Sequence, residues 1–163
     1  MVKRNAHYNL KYSDRGKSIA ELRNFNYSSK NAIIVAGGPS LRRNNQIKVL
    51  KKFAEKFIII SCDGSLFYLL NNKIIPDLVV TLDPHPTRIV RWFGDKKLTK
   101  KKIKKDDYFM RQDLEKKFNN ELKSNKKMIK LFDKYSSDLK IALCTSSSKA
   151  VVDRIINSKS KIF

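Results

Sequence analysis

Short apolar runs that recur along the chain are the feature that most limits how it can fold. Each run is rich in β-branched residues and is followed by a turn of small or polar residues. The runs occupy positions 32–36, 57–61, 78–82 and 141–144. Runs of this length, apolar without alternation, are typical of buried strands in a parallel sheet.

Segments in which apolar residues recur at helical spacing separate the first three runs. Leu41, Ile47, Leu50 and Ala54 fall near one face of a helix after the first run, and 66–70 forms the apolar face of a second helix. Strands and helices that alternate in this way predict a βαβαβ unit with right-handed crossovers. The expected fold class is α/β: a Rossmann-like domain with a mostly parallel sheet and flanking helices.

The stretch 96–140 does not follow this alternation of strands and helices. A lysine run opens it, and Leu114, Phe118 and Leu122 then recur every four residues. This pattern predicts an inserted helical segment beside the sheet. The strand pattern then returns, followed by an expected helix over 148–156.

Residues 1–30 are polar and basic without a sustained period, so they are expected to form an N-terminal arm with a short helix over 18–23. The remainder, 31–163, suits one domain, because 163 residues are too few for two domains of ordinary size. Positions 161–163 resemble a strand that has only begun, which would leave an unpaired edge. The sequence is therefore expected to be a fragment truncated at its C-terminus.

The chain carries 36 basic and 15 acidic residues, a formal net charge of +21. Such an excess is a common footprint of nucleic-acid binding. Most of it is lysine in a sequence also rich in asparagine and isoleucine, the residues that AT-rich codons supply, so base composition explains much of the charge. Nucleic acid is therefore not the expected partner, and the oligomeric state stays open.

Cys62 and Cys144 each end an apolar run and show no spacing typical of a metal site or a disulfide. Both are expected to be buried, reduced thiols. No apolar stretch follows the basic start, and no run is long enough to span a membrane. A cytoplasmic location is the expectation.

The expected site lies where the strands end. In an open parallel sheet, ligands bind outside the carboxyl ends of the strands, near the point where strand order reverses. The segments that follow the strands are small, polar or acidic: 37–40, 62–65, 83–86 and 145–148.

Gly37, Gly38, Pro39 and Ser40 form the first of these segments. The glycines let the backbone approach a ligand closely, and the N–H groups of the following helix suit the phosphate of a nucleotide. The pattern is neither a Walker loop nor a GxGxxG motif, so a plain strand-to-helix turn remains the alternative.

Charged side chains follow the next two strands. Asp63 either contacts ribose hydroxyls or caps the helix that begins there. Asp83 and His85 lie on a proline-stiffened loop, where they would hold a metal-bound diphosphate and act as general base, respectively. Arg88 and Arg91 would clamp phosphate oxygens. The alternative for this loop is a rigid exposed turn.

Thr145, Ser146 and Ser147 follow the fourth run, just before Ser148. Their hydroxyls and the N–H groups of the next helix suit either a second anion contact or helix capping, and the residues alone do not choose between the two.

Several of these motifs, in this order, resemble a known family. They are AIIVAGGPSL at 32–41, Asp63, the Ile-Pro-Asp turn at 75–77 that leads into VVTLD with Asp83, and Thr-Ser-Ser-Ser at 145–148. Together they resemble the 6-hydroxymethylpterin diphosphokinase MptE-like domain, which motility accessory factor proteins share and which is similar in fold to bacterial sialyltransferases. The resemblance covers about 32–163, with a gap at the inserted helices. Sequences of the family often have a glycine just before the turn, where this chain has Lys73 and Ile74.

The resemblance implies a transferase that moves a diphosphate from ATP, with Mg²⁺, to a pterin hydroxymethyl group. Asp63 and Asp83 would hold the metal, His85 would help to deprotonate the hydroxyl, and Arg88 would stabilise the transferred charge. One alternative is a glycosyltransferase that uses a CMP-activated sugar, with the nucleotide phosphate at the glycine loop and His85 as base. Another is a non-catalytic module whose lysine run binds nucleic acid or an acidic partner.

Overall fold

The structure, a computed structural model, describes residues 1–27, 29–38, 40–43, 45–106 and 119–163. Pro39, Leu114 and Phe118, which carry part of the sequence predictions, lie outside the described residues. Within these ranges, no helix combines the length and the apolar character needed to cross a membrane.

Strands and helices alternate through most of the described chain. The strands are β1 (Ala32–Val35), β2 (Ile58–Cys62), β3 (Leu78–Thr81), β4 (Lys140–Leu143) and β5 (Lys161–Ile162). The α-helices are α1 (Val2–Asn9), α2 (Ser40–Arg43), α3 (Gln46–Phe53), α4 (Asp63–Asn71), α5 (Lys100–Lys105), α6 (Asn119–Tyr135) and α7 (Lys149–Ile156). Short 3₁₀ helices lie at Leu10–Arg15, Ile19–Asn24, Ala54–Lys56, Ile89–Phe93 and Ser136–Asp138. The four predicted strands are present, with ends that shift by one residue.

The five strands form one sheet in the order β1-β2-β3-β4-β5, and every pairing is parallel. This confirms the predicted α/β, Rossmann-like class. Each strand is added on the same side of the one before it, so strand order does not reverse among the described strands. The carboxyl edge that should carry the site is present, whereas the reversal that should mark its centre is not.

One face of the sheet, here called the helix face, carries the core. Right-handed crossovers that all step in the same direction place their helices on one side of a sheet. The strand residues of both hydrophobic clusters accordingly share one face. They are Ile33, Val35, Ile59, Val79, Ile141, Leu143 and Ile162. Apolar side chains of α3, α4, α6 and α7 pack on them.

The opposite face, here called the open face, has no helical layer in the described part of the chain. On this face Ile34, which belongs to the edge strand β1, is 71% exposed. Leu82, just beyond β3, is 62% exposed. The N-terminal arm covers this face near β4 and β5, where the ring of Phe25 packs edge-on against Phe163 with centroids 5.6 Å apart and lies under Lys140 Nζ. The strands are therefore buried mainly on one face.

The N-terminal arm is more ordered than its sequence predicts. The short helix expected over 18–23 appears as the 3₁₀ helix Ile19–Asn24, but α1 was not predicted. Between them, the N–H of Lys17 donates to the carbonyl of Ile162 at 2.9 Å. The arm thereby pairs with β5, which would otherwise be an unpaired sheet edge.

Two described residues other than glycine have a left-handed backbone conformation. Asn45 has a φ of 51° and separates α2 from α3, so the single helix expected after β1 is two helices. Lys73, after α4, has a φ of 61°. The resemblance leads one to expect glycine near this position, because a left-handed conformation costs a residue with a Cβ atom roughly 1 kcal/mol.

The inserted segment packs on the helix face. Gly94 has a φ of 83°, and a Cβ atom there would lie 2.7 Å from Ile129 of α6, so the loop and this helix meet without room for a side chain. The preceding 3₁₀ helix buries Phe93 against Phe132, with ring centroids 5.6 Å apart. The insertion is thereby anchored to the core.

Candidate functional site

The carboxyl ends of β1 and β2 bring the glycine loop against the start of α4. A Cβ atom on Gly37 would lie 3.2 Å from the backbone carbon of Gly64, which leaves little room for a side chain. On Gly38 a Cβ atom would have Ser40 Oγ, at 3.7 Å, as its nearest described contact. Glycine at 37 is thus explained by backbone packing, whereas among the described residues the space around Gly38 is open to a ligand.

Two buried serines hold this loop in place. Ser65 Oγ donates to the carbonyl of Val35 at 2.5 Å, and the hydroxyls of Ser61 and Ser65 are 2.9 Å apart. Both serines are fully buried on the helix face. Since Val35 ends β1, these bonds fix where the glycine loop begins relative to α4.

Asp63 lies between the ends of β2 and β3. Its Oδ1 accepts the N–H of Gly64 at 2.6 Å, and its Oδ2 accepts the hydroxyl of the buried Thr81 at 2.9 Å. Burial raises the pKa of Asp63; the two hydrogen bonds oppose this rise, and the negative charge of Asp83 adds to it. A buried carboxyl group with a raised pKa beside a second carboxylate is a frequent mark of a functional site.

The loop after β3 is a rigid turn that also orients its side chains. Asp83 Oδ1 accepts the N–H of His85 at 2.8 Å, and His85 Nδ1 accepts the N–H groups of Thr87 and Arg88, both at 3.3 Å. A ring nitrogen that accepts such bonds carries no proton, so the neutral imidazole has its proton on Nε2. In this arrangement His85 donates from Nε2, and the predicted role of general base would require the other tautomer.

Both arginines expected to clamp phosphate form ion pairs. Arg88 Nη2 lies 2.9 Å from Asp106 Oδ1, and its Nε donates to the same carboxylate at 3.1 Å. Arg91 is buried, with Nη1 2.9 Å from Glu121 Oε2. Arg91 is therefore part of the helical layer, and Arg88 would have to share Asp106 with any phosphate it binds.

Helix α1 lies over the loops that follow β3 and β4. The side-chain amides of Asn5 and Asn9, which are four residues apart and therefore on one side of the helix, each donate two hydrogen bonds to loop carbonyls. Asn5 bonds Pro84 (3.0 Å) and Ser146 (3.0 Å), and Asn9 bonds Thr145 (2.7 Å) and Ser147 (2.9 Å). The N-terminal helix thus fixes the β3 loop relative to the β4 loop.

The serines after β4 mostly serve the fold. Ser148 Oγ accepts the N–H of Val151 at 3.4 Å and caps α7, and Ser147 Oγ donates to the carbonyl of Thr81 at 3.4 Å. Capping is therefore the observed role at the start of α7. Ligand contact by Thr145, which is exposed, stays a prediction.

The cysteines differ from expectation at one position. Cys62 is partly buried, and burial, followed by the charge of Asp63, raises the pKa of its thiol. Cys144 is exposed, because it lies beyond the end of β4 on the loop surface. The prediction of two buried thiols is wrong for Cys144.

A model of one protein family, described as 6-hydroxymethylpterin diphosphokinase MptE-like, matches residues 4–136. The chain belongs to this MptE-like family. This confirms the family named from the sequence motifs, although the match begins within α1 and ends before β4. Comparisons with curated proteins and with solved structures gave no match.

The extent of the MptE-like match bears on the predicted site residues. Gly37, Gly38, Asp63, Asp83 and His85 lie inside the matched range. The serine-rich segment 145–148 lies outside it, although the sequence resemblance had included that segment. The first three loops therefore form the part of the site that family membership and geometry both cover.

The sequence did not point to three residues of the candidate site. Asn5 and Asn9 gave no hydrophobic signal, because a helix held by amides rather than apolar side chains shows no hydrophobic period. Thr81 lay within a motif but was not singled out, since its bond to Asp63 joins positions 18 residues apart. Only the spacing of Asn5 and Asn9 hinted at a shared helical face.

Proposed function

We propose that this MptE-like chain belongs to a nucleotide-dependent transferase that moves a diphosphate from ATP to the hydroxyl group of an acceptor. The observation that supports this most is the pair Asp63 and Asp83, with a raised pKa at Asp63, next to the glycine loop. In the reaction, the hydroxyl oxygen attacks the β-phosphorus, the bond between that phosphorus and the α-phosphate oxygen breaks, AMP leaves, and the hydroxyl proton is released to water.

The carboxylate oxygens of this acidic pair are suitable ligands for Mg²⁺. No group of three or more His, Cys, Asp or Glu side chains that could hold a metal is found among the described residues. Mg²⁺, however, is commonly bound by one or two carboxylates together with substrate phosphate oxygens and water. Asp63 and Asp83 would hold the ion, which would neutralise charge on the transferred phosphates.

The other residues have supporting roles in this proposal. Space at Gly38 lets a phosphate approach the backbone closely, as the sequence predicts. His85, whose Nδ1 accepts two backbone N–H groups, would donate from Nε2 to a phosphate oxygen. This role differs from the general base expected from sequence, and it follows from the tautomer that the turn selects.

The proposal is tested by thermal unfolding with ATP, GTP, CMP and a CMP-sugar, each with and without Mg²⁺. We expect stabilisation by ATP or GTP that requires Mg²⁺, because a ligand that binds only the folded state stabilises it by about 2.7 kcal/mol at 100 times its dissociation constant. Asp83→Asn and Gly38→Ala should each remove most of this stabilisation. Asp138→Asn, an exposed carboxylate in the 3₁₀ helix after α6, is the matched control and should leave it intact.

Other outcomes would change the assignment. Stabilisation by CMP compounds that does not depend on metal would favour a glycosyltransferase. No response to any nucleotide would contradict both enzymatic proposals and leave a binding module, for which steeply salt-dependent binding to generic DNA is the check.

A further inference from the structure

A cavity of about 440 Å³ lies beside the loop of the candidate site. Pro86, Thr87 and Arg88, which directly follow His85, form one wall. Val90, residues from the segment 95–106 and Ala150 of α7 line the rest. The volume is in the range of about 300–1,000 Å³ that small-molecule sites usually have.

The floor of the cavity is apolar and its rim is basic. Val90, Leu98 and Ala150 supply apolar surface, and Val90 is buried in the core below. Lys97, Lys102 and Lys105 line the same space. The lysines at 102 and 105 are three residues apart, which places them on one side of α5.

The two acids in the lining, Asp95 and Asp106, offset only part of this positive charge. Asp106 pairs with Arg88, and Asp95 Oδ1 accepts the backbone N–H of Lys97 at 2.7 Å. Within the described ranges no ion pair is found for the three lysines of the rim. The described lining therefore combines apolar surface with four cationic side chains, those of Arg88 and the three lysines, against the two carboxylates of Asp95 and Asp106.

The walls are held in position before any ligand arrives. Asn125 of α6 accepts the N–H of Asp95 and donates to its carbonyl, both at 2.8 Å. Ile103, on the inner side of α5, is fully buried and anchors that helix. A site with fixed walls loses less entropy when a ligand binds.

We propose that this cavity binds an organic anion with an apolar body and one phosphate or carboxylate group, and that this anion, through a hydroxyl group that it also carries, is the acceptor of the transferase. The assignment as acceptor rests on the proposed function, whereas anion binding does not. The apolar body contacts Val90, Leu98 and Ala150, and the anionic group faces the lysine rim. A ligand so placed lies against the turn that carries His85.

The first test is fluorescence titration with 1-naphthyl phosphate, compared with neutral 1-naphthol and inorganic phosphate. We expect saturable binding of 1-naphthyl phosphate and at least about tenfold weaker binding of the other two, because each lacks one of the two recognised parts. Absence of saturable binding, or equally tight binding of 1-naphthol, overturns the proposal, the latter because it indicates adsorption to apolar surface such as the open face.

Two matched double variants locate the site. Lys102→Gln with Lys105→Gln should weaken binding of 1-naphthyl phosphate at least about tenfold, since charge-assisted bonds are lost. Lys126→Gln with Lys127→Gln removes the same charge from exposed positions of α6 outside the cavity and should have little effect. If both double variants bound 1-naphthyl phosphate equally weakly, the net charge of the protein alone would attract the ligand, and the proposal would be overturned.

Two further variants are the remaining controls: one fills the cavity, and the other changes the proposed nucleotide site. Ala150→Leu should block binding of 1-naphthyl phosphate while circular dichroism shows an intact fold. Retained binding would overturn the proposal. If that variant unfolds, the two lysine double variants test the proposal instead. Asp83→Asn should bind 1-naphthyl phosphate normally. Failure of ATP binding in wild type with intact naphthyl phosphate binding would contradict the proposed function and leave the anion site standing.

Discussion

Asp63 shows how a single residue can be costly for stability where it is suited to function. Burial raises its pKa, so the folded state binds the proton more tightly than the unfolded state does. Stability attributable to this group is therefore greatest below the ordinary aspartate pKa of 3.8 and declines as the pH rises through the higher pKa of the folded state. At neutral pH the ionised carboxylate is a net cost.

Asp63→Asn should therefore unfold at higher urea concentration than wild type at pH 7, and this difference should shrink as the pH approaches 4. The amide keeps an acceptor for the N–H of Gly64 and can donate to Thr81, so the local bonds survive. Urea titrations at both pH values give the measurement, with Asp138→Asn as the exposed control. Lower stability of Asp63→Asn at pH 7 would contradict the argument.

At the scale of an element, helix α1 depends on contacts with distant parts of the chain. Its buried residues, Asn5 and Asn9, are polar, and its sequence has no apolar stripe. The helix is stabilised by bonds to loop carbonyls more than 70 residues away in sequence. Hydrophobic periodicity therefore predicted α4 and α7 but had nothing to detect in α1.

Asn9→Ala should lower the free energy of unfolding by about 1–3 kcal/mol, because the carbonyls of Thr145 and Ser147 lose a partner. His7→Ala, at an exposed position of the same helix, should change it by less than about 0.5 kcal/mol. Chemical denaturation of both variants is the measurement. If both variants changed the free energy of unfolding by similarly small amounts, α1 would not hold the loops in solution.

The open face is the main feature at the scale of the whole molecule. Strands added in one direction, with right-handed crossovers, leave one side of the sheet without helices. Ile34 and Val35 are neighbours in β1, yet Ile34 is 71% exposed and Val35 only 5%. The two residues therefore offer a direct comparison of the two faces.

Val35→Thr should destabilise the fold by about 1–3 kcal/mol, because it buries a hydroxyl on the helix face. Ile34→Thr keeps a β-branched side chain on the open face and should cost less than about 0.5 kcal/mol. Urea denaturation of both variants is the check. Equal losses would show that the open face is covered in solution by a second copy or by another segment.

Sequence alone determined the strands, most of the helices, the family and the loops that carry Gly38, Asp63, Asp83 and His85. These depend on local patterns of apolar residues, glycine and proline, which a short window contains. The tertiary structure alone decided the strand order, the open face, the raised pKa of Asp63 and the pairing of Arg88 with Asp106. Each of these depends on which distant groups meet in space, and no local pattern encodes that information.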